Sequence, residues 1–166
     1  MPLVVETPGG SVTLFTRDAH QAATLRARIT AWLDGAVDDF ADVPLATGTH
    51  FQQACWRACR SIPRGETRNY AWLAAAAGSP KAARAAGQAM RRNPMPIVVP
   101  CHRVVGSGGW LGGYAGDARP EGAMLHIKLA LLALEARVAD VNSPAHEPFS
   151  PFATTQRNTH TESNAL

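Results

Sequence analysis

Residues 69–105 read NYAWLAAAAGSPKAARAAGQAMRRNPMPIVVPCHRVV. Alanines and large apolar residues at 70–77 predict a short helix, stopped by Gly78. Ser79 then reads as the cap of a second helix, with Pro80 at its first position and 81–90 as its body. Two short helices joined by a Gly-Ser turn make a helix-turn-helix pattern. Asn93-Pro94-Met95-Pro96 ends the helical part, and Ile97-Val98-Val99 reads as a short extended run closed by Pro100. Cys101-His102-Arg103-Val104-Val105 follows and leads into the glycine-rich segment 106–116.

On the C-terminal side, 125–138 reads as a helix whose apolar face is Leu125, Leu129, Leu132 and Ala136, with Lys128 and Glu135 among the polar positions. Residues 140–166 are rich in Ser, Thr, Pro, Asn and His and read as a mostly disordered tail. On the N-terminal side, Phe51, Cys55, Cys59 and Ile62 fall on one helical face behind Thr49 as cap. Segments 3–7 and 11–16 are β-branched runs around Pro8-Gly9-Gly10, a hairpin signal. Asp18 caps a helix whose face is Leu25, Ile29, Trp32 and Leu33, closed by Gly35. Residues 36–48 are an acidic connection. The expected organisation is α/β. A small, reduced sheet-plus-helix unit (1–47) precedes a mostly helical unit with the helix-turn-helix (48–139) and the tail (140–166).

The chain has 166 residues, 46% hydrophobic and 17% charged, enough for one real core. No apolar run approaches a membrane span, and 1–10 shows no basic region leading into an apolar stretch. With only three cysteines, a disulfide scaffold is excluded and a reducing, cytoplasmic setting expected. Net charge is +3, distributed unevenly: −3 over 1–50, +8 over 51–137 and −2 over 138–166. The basic middle points to a polyanionic partner.

The cysteines differ in context. Cys55 and Cys59 sit on an apolar helical face and read as buried structural thiols. Cys101 follows a proline and precedes a histidine. A thiol attacks only as thiolate, so it needs a nearby base. His102 is such a base, directly or through a water, and Glu135 is available to fix its tautomer. The second helix is slim with alanines and glycine and carries Arg84, Arg91 and Arg92. Such a helix can approach a nucleic-acid groove closely while the arginines hold phosphates or probe the base stack. The same small residues also suit tight packing in a core.

Residues 93–105, NPMPIVVPCHRVV, resemble the signature of the O6-alkylguanine-DNA alkyltransferases, whose hallmark is PCHRV around the acceptor cysteine. The resemblance extends over about 45–137. It includes Thr49-His50-Phe51-Gln52-Gln53, Ile62-Pro63-Arg64-Gly65-Glu66-Thr67, Tyr70 with Leu73-Ala74, Gly78-Ser79-Pro80-Lys81-Ala82-Ala83-Arg84-Ala85, and Lys128 with Leu131-Leu132 and Glu135, all in the family's order. It implies direct-reversal repair. The helix-turn-helix enters the minor groove of double-stranded DNA, the O6-alkylguanine is flipped out, and its alkyl group passes irreversibly to a protein thiol.

By this resemblance Cys101 is the nucleophile, His102 its water-linked base and Glu135 the residue orienting His102. Tyr70 hydrogen-bonds the flipped guanine and assists its departure. Asn93 braces the turn. Arg84 fills the gap in the duplex, Met90 packs by the base pocket, and the carbonyls of Cys101 and Val104 accept from the guanine amino group. Ala83, Gly87 and Arg91 on the same helix, with Tyr114 and Ala115 in the tyrosine loop, complete the binding set. The resemblance implies a monomer that acts once, with no cofactor and no metal; the human-type zinc site has no visible ligand set.

Four departures stand out. Ala115 replaces a serine, Tyr114 to Lys128 is about twice the usual family spacing, the N-terminal unit is shorter than the family's usual one, and the tail beyond Ala139 has no obvious family counterpart. The extra segment reads as a loop over 117–127 beside the pocket. An alternative within the resemblance is a non-enzymatic lesion sensor, a class that typically carries tryptophan in place of the cysteine. A regulatory helix-turn-helix protein with an incidental Cys101 is another, but leaves the Pro-Cys-His-Arg-Val context unexplained.

Overall fold

The structure is a computed structural model; it describes residues 1–114 and 123–142. Strands β1 (Pro2–Thr7) and β2 (Gly10–Phe15) form an antiparallel hairpin in which Leu3 faces Leu14 and Val5 faces Val12. These four side chains are buried and their neighbours point outward, the period-2 alternation of a sheet covered on one face. Helix α1 (Ala19–Leu33) starts at Asp18, whose carboxylate accepts from the Gln21 N–H, and buries Ala22, Leu25, Ile29 and Trp32; Leu33 is only half-buried.

The acidic connection is tied back by Arg28, which pairs with Asp38 at 2.7 Å and Asp42 at 2.8 Å. Helix α2 (His50–Arg60) opens with a capping box. Thr49 Oγ1 accepts from the Gln52 N–H while Gln52 accepts from the Thr49 N–H. Its buried face is Cys55, Trp56 and Cys59. Strand β3 (Arg68–Asn69) leads directly into α3 (Tyr70–Ala76), capped by Asn69. A connection over 77–82 precedes α4 (Ala83–Arg91). Cys101–Arg103 is a single 3-10 turn, and β4 (Val104–Val105) pairs in parallel with β3. The last helix is α5 (Ala123–Asn142). One core joins the hairpin and α1 to α2, α3, α4 and α5.

Five expectations need correction. The second helix starts at Ala83, without a side-chain cap, and Ser79 does not cap it. Ser79 instead begins a turn closed by the Ala82 N–H on its carbonyl at 2.9 Å, with Pro80 at the position whose φ it pre-sets. Ile97-Val98-Val99 is not extended. Ile97 has φ +73°, and the Val99 N–H returns to the Met95 carbonyl at 2.9 Å. Prolines 94, 96 and 100 donate no N–H, so the segment cannot build a ladder and folds into a tight turn.

The inner face of α5 is not Leu125, Leu129, Leu132 and Ala136. It is Ile127, Lys128, Leu131 and Glu135, while Leu129 is exposed. The two charged residues lie inward because polar partners await both there. The segment read as loop over 117–127 is helical from Ala123 onward. The tail reading also needs a boundary: α5 runs to Asn142, past the expected end, and 143–166 lie outside the described residues, as does Ala115.

The hairpin turn meets α5 very closely. A Cβ on Gly9 would lie 2.6 Å from Ile127 Cα and 2.7 Å from the His126 carbonyl oxygen. Both are backbone atoms, so Gly9→Ala must push the hairpin off the helix. We expect it to cost about 1–3 kcal/mol, read as a lower urea midpoint with an unchanged slope.

Candidate active site

The site is built where the Cys101–Arg103 turn meets α5. His102 is fully buried, and its Nε2 lies 2.8 Å from Glu135 Oε1. Arg103, the next residue, donates its Nε to both Glu135 oxygens at 3.0 Å and its Nη2 to Oε1 at 2.8 Å, while Nη1 reaches the Ile62 carbonyl. The Gly65 N–H adds a bond to Glu135 Oε2 at 3.1 Å. Burial pushes the Glu135 carboxyl up, but His102 and Arg103 outweigh it and hold the group at about 2. Glu135 is therefore ionised. For His102 burial is the larger influence, so its basicity falls despite Glu135. The resting imidazole is neutral, with Nε2–H donated to the carboxylate. Nδ1 meets no hydrogen-bond partner among the described residues and remains the free basic nitrogen.

Cys101 is a buried free thiol. Burial pushes it up; Asn93 and the charge of Lys128 pull the other way. It rests protonated and requires a base to become a nucleophile. Asn93 shapes its turn. Nδ2 donates to the Val99 carbonyl at 2.8 Å and to Cys101 Sγ at 3.3 Å, and Oδ1 accepts from the Met95 N–H at 3.0 Å. Lys128, buried with its pKa lowered to about 8, donates Nζ to the carbonyls of Val104 and Leu111. It thus fastens the acceptor turn and the glycine-rich loop to α5.

The structure brings Cys101, His102, Glu135 and Asn93 together. The β3–β4 pairing, Arg68 beside Val104 and Asn69 beside Val105, sets Tyr70 near the same turn. Its ring lies between Gly87 of α4, where a Cβ would come within 3.8 Å, and Gly112, where a Cβ would be 3.2 Å from the hydroxyl. Burial pushes the Tyr70 phenol up to about 12, so it is a donor. Tyr114 is buried, and burial followed by the nearby Cys101 raises its phenol too. The carbonyl of Val104 already accepts from Lys128 and that of Cys101 from the Val104 N–H. Each keeps one lone pair for a further donor. Met90 is core; Ala83 and Gly87 are half-buried; Arg84 and Arg91 are exposed on α4.

Arg103, Lys128 and the Gly65 N–H were not singled out as site groups. Lys128 and Glu135 are seven positions apart, with Leu131 between them, so they share a helix face, and that spacing is the available signal. No cluster of three or more metal-ligating side chains occurs among the described residues.

This arrangement places one buried free thiol next in sequence to a histidine that is paired with a buried carboxylate. A model of the 6-O-methylguanine DNA methyltransferase DNA binding domain matches residues 50–137, more than half of the chain, and the chain belongs to that family. It is 61% identical over 70 residues to the constitutive methylated-DNA–protein-cysteine methyltransferase of Bacillus subtilis, and the match covers 42% of each protein. It is 42% identical over 144 residues to the methylated-DNA–protein-cysteine methyltransferase of Mycolicibacterium paratuberculosis, covering 86% of this chain and 80% of that one. The structure of Mycobacterium tuberculosis OGT in complex with DNA superposes with a TM-score of 0.67 at 34% identity, over 82% of this chain and 93% of that one.

The buried ionic cluster has a signed pH dependence. Glu135 is held below its ordinary 4.5, so its contribution to stability is present above 4.5 and fades as pH falls toward 2. His102 is held below its ordinary 6.5, so the unfolded chain takes up its proton first, and stability also falls as pH drops below 6.5. Urea unfolding from pH 7 to pH 3 is expected to show both declines. Glu135→Gln, which strands Arg103, should cost about 3–5 kcal/mol at pH 7 and abolish the lower decline.

Proposed function

We propose that this protein repairs DNA by direct reversal, moving the alkyl group of O6-alkylguanine onto its own Cys101. The observation that carries the reading is the Cys101 thiol beside a histidine whose Nε2 is bound to a buried, ionised Glu135. His102 Nδ1 takes the thiol proton, directly or through one water, and the imidazolium is stabilised by Glu135. The thiolate attacks the alkyl carbon. The S–C bond forms, the C–O6 bond breaks, and its electron pair stays on the guanine. Tyr70, a phenol at neutral pH because burial raises it to about 12, passes its proton to the departing base so that guanine leaves neutral, and the proton that His102 took from the thiol restores the phenol through solvent. The thioether has no leaving route, so each molecule acts once. No cofactor enters this chemistry.

In this reading α3 and α4 form a helix-turn-helix on the minor groove of double-stranded DNA, and the lesion is flipped toward Cys101 because its alkyl carbon is shielded inside the stack. Support comes from the exposed Arg84, Arg91 and Arg92 on and just after α4, and from Tyr70 packed beside Gly87 of that helix. Arg84 is the residue that occupies the vacated position. Asn93 braces the acceptor turn, the carbonyls of Cys101 and Val104 take up the guanine amino group, and Met90, Ala83, Gly87, Arg91 and Tyr114 line the approach. We place the helix-turn-helix unit at 48–139, behind a reduced α/β unit at 1–47, in a cytoplasmic monomer. Supporting this setting, Cys55, Cys59 and Cys101 are all free thiols, and no helix among the described residues is long and apolar enough to cross a membrane. A lesion sensor without transfer is disfavoured by the cysteine itself.

Mixing the protein with an O6-methylguanine oligonucleotide should add one methylene's mass to the Cys101 peptide with equimolar loss of the lesion. Cys101→Ser should bind the lesion and transfer nothing; transfer by that variant would remove Cys101 as acceptor. Arg84→Ala should slow transfer from duplex DNA by at least about tenfold, the size of a lost contact of roughly 1–3 kcal/mol, and leave reaction with free O6-benzylguanine unchanged. Equal losses with both substrates would contradict its role in the duplex.

A further inference from the structure

His102 is held at one end only. Nε2 is bound to Glu135, Nδ1 has no partner among the described residues, and the ring has no exposed surface. One hydrogen bond leaves an imidazole free to pivot about it, so something else must fix the ring plane. The contact comes from the N-terminal part of the chain. Trp32, on the last turn of α1, meets the imidazole edge to face, with centroids 6.2 Å apart and planes at 65°.

Trp32 is in turn clamped by Arg64 from the turn after α2. The Arg64 guanidinium carbon lies 4.6 Å from the indole centroid. Its Nη2 donates to the Trp32 carbonyl at 3.2 Å, and its Nη1 to that of Ala36 at 2.8 Å. The Trp32 indole N–H has no partner among the described residues. The indole is therefore held by stacking rather than by a polar tether, and its shape matters more than its nitrogen.

We infer that Trp32 and Arg64 are positioning residues for His102: α1 and its arginine clamp hold the imidazole plane so that Nδ1 stays available to Cys101. This rests on the reading of His102 as the base. It gives the small N-terminal unit a part in the transfer step besides stability. The charged and titratable groups around the imidazole are Glu135 and Lys128 from α5, Arg103 and Cys101 from its own turn, and Arg64 beyond Trp32. Tyr70 and Tyr114 face Cys101. Opening the Trp32 wall admits water to a ring whose basicity burial suppresses. His102 should then protonate at higher pH, and the acidic limb of the thiol's reactivity should move up.

The test follows alkylation of the Cys101 peptide by iodoacetamide across pH, by mass spectrometry, alongside methyl transfer from an O6-methylguanine duplex. Trp32→Leu and Arg64→Met are expected to slow both reactions about fivefold, the size of one lost aromatic contact, and to shift the acidic limb upward. Trp32→Phe should restore most of the rate and the limb position. Trp32→Leu with a lower melting temperature and an unmoved limb would reduce the contact to packing and overturn the inference. So would a limb that persists in His102→Gln. If Trp32→Leu does not fold, Arg64→Met, at a half-buried position, decides alone. If the wild-type protein transfers no methyl group, the repair reading fails, and the iodoacetamide profile still tests Trp32 and Arg64.

Discussion

The Glu135 carboxylate is the constraint on which the rest of the site depends. It is buried, and it accepts from His102, from Arg103 and from the Gly65 N–H. Those donors belong to the acceptor turn and to the turn after α2, while Glu135 belongs to α5. One carboxylate thus ties three separate stretches of chain at a point where no water can substitute. A buried charge without partners is costly, so the three segments are held together or the charge is stranded.

Arg103 gives this cluster its chemical character. The guanidinium adds to His102 in keeping the carboxylate ionised. The imidazole, its basicity lowered by burial, therefore lies against a fixed negative charge, which in the proposed reaction is the counter-charge for the proton it takes from the thiol. Cys101, raised by burial, stays a thiol at neutral pH. In the proposed reaction such a thiol, used once, is spared until a substrate excludes water and His102 takes its proton.

Lys128 serves the backbone rather than the relay. Its ammonium caps the carbonyls of Val104 and Leu111, joining β4 to the glycine-rich loop. The Asn93 side chain does the corresponding work on the other side of Cys101, where the prolines leave too few N–H donors for a strand. The acceptor cysteine is therefore held between two polar side chains that replace missing secondary structure, with Ile97 left in a backbone region unusual for a β-branched residue.

The sequence by itself determined most of the local elements and the family. Alternation made the hairpin, Asp18 and Thr49 began their helices, and Pro-Cys-His-Arg-Val with the ordered flanking blocks marked the family. Tertiary structure alone decided which way α5 faces. Hydropathy turned Leu125, Leu129 and Leu132 inward and left Lys128 and Glu135 as polar positions. The fold buries the charged pair because carbonyls, an arginine and a histidine from distant segments satisfy it. It also turned Ile97–Val99 from a strand into a turn and brought Trp32 against His102. Periodicity reports how much a residue dislikes water. It cannot report a polar partner 33 or 70 residues away, and those partners decide where a charge can be buried.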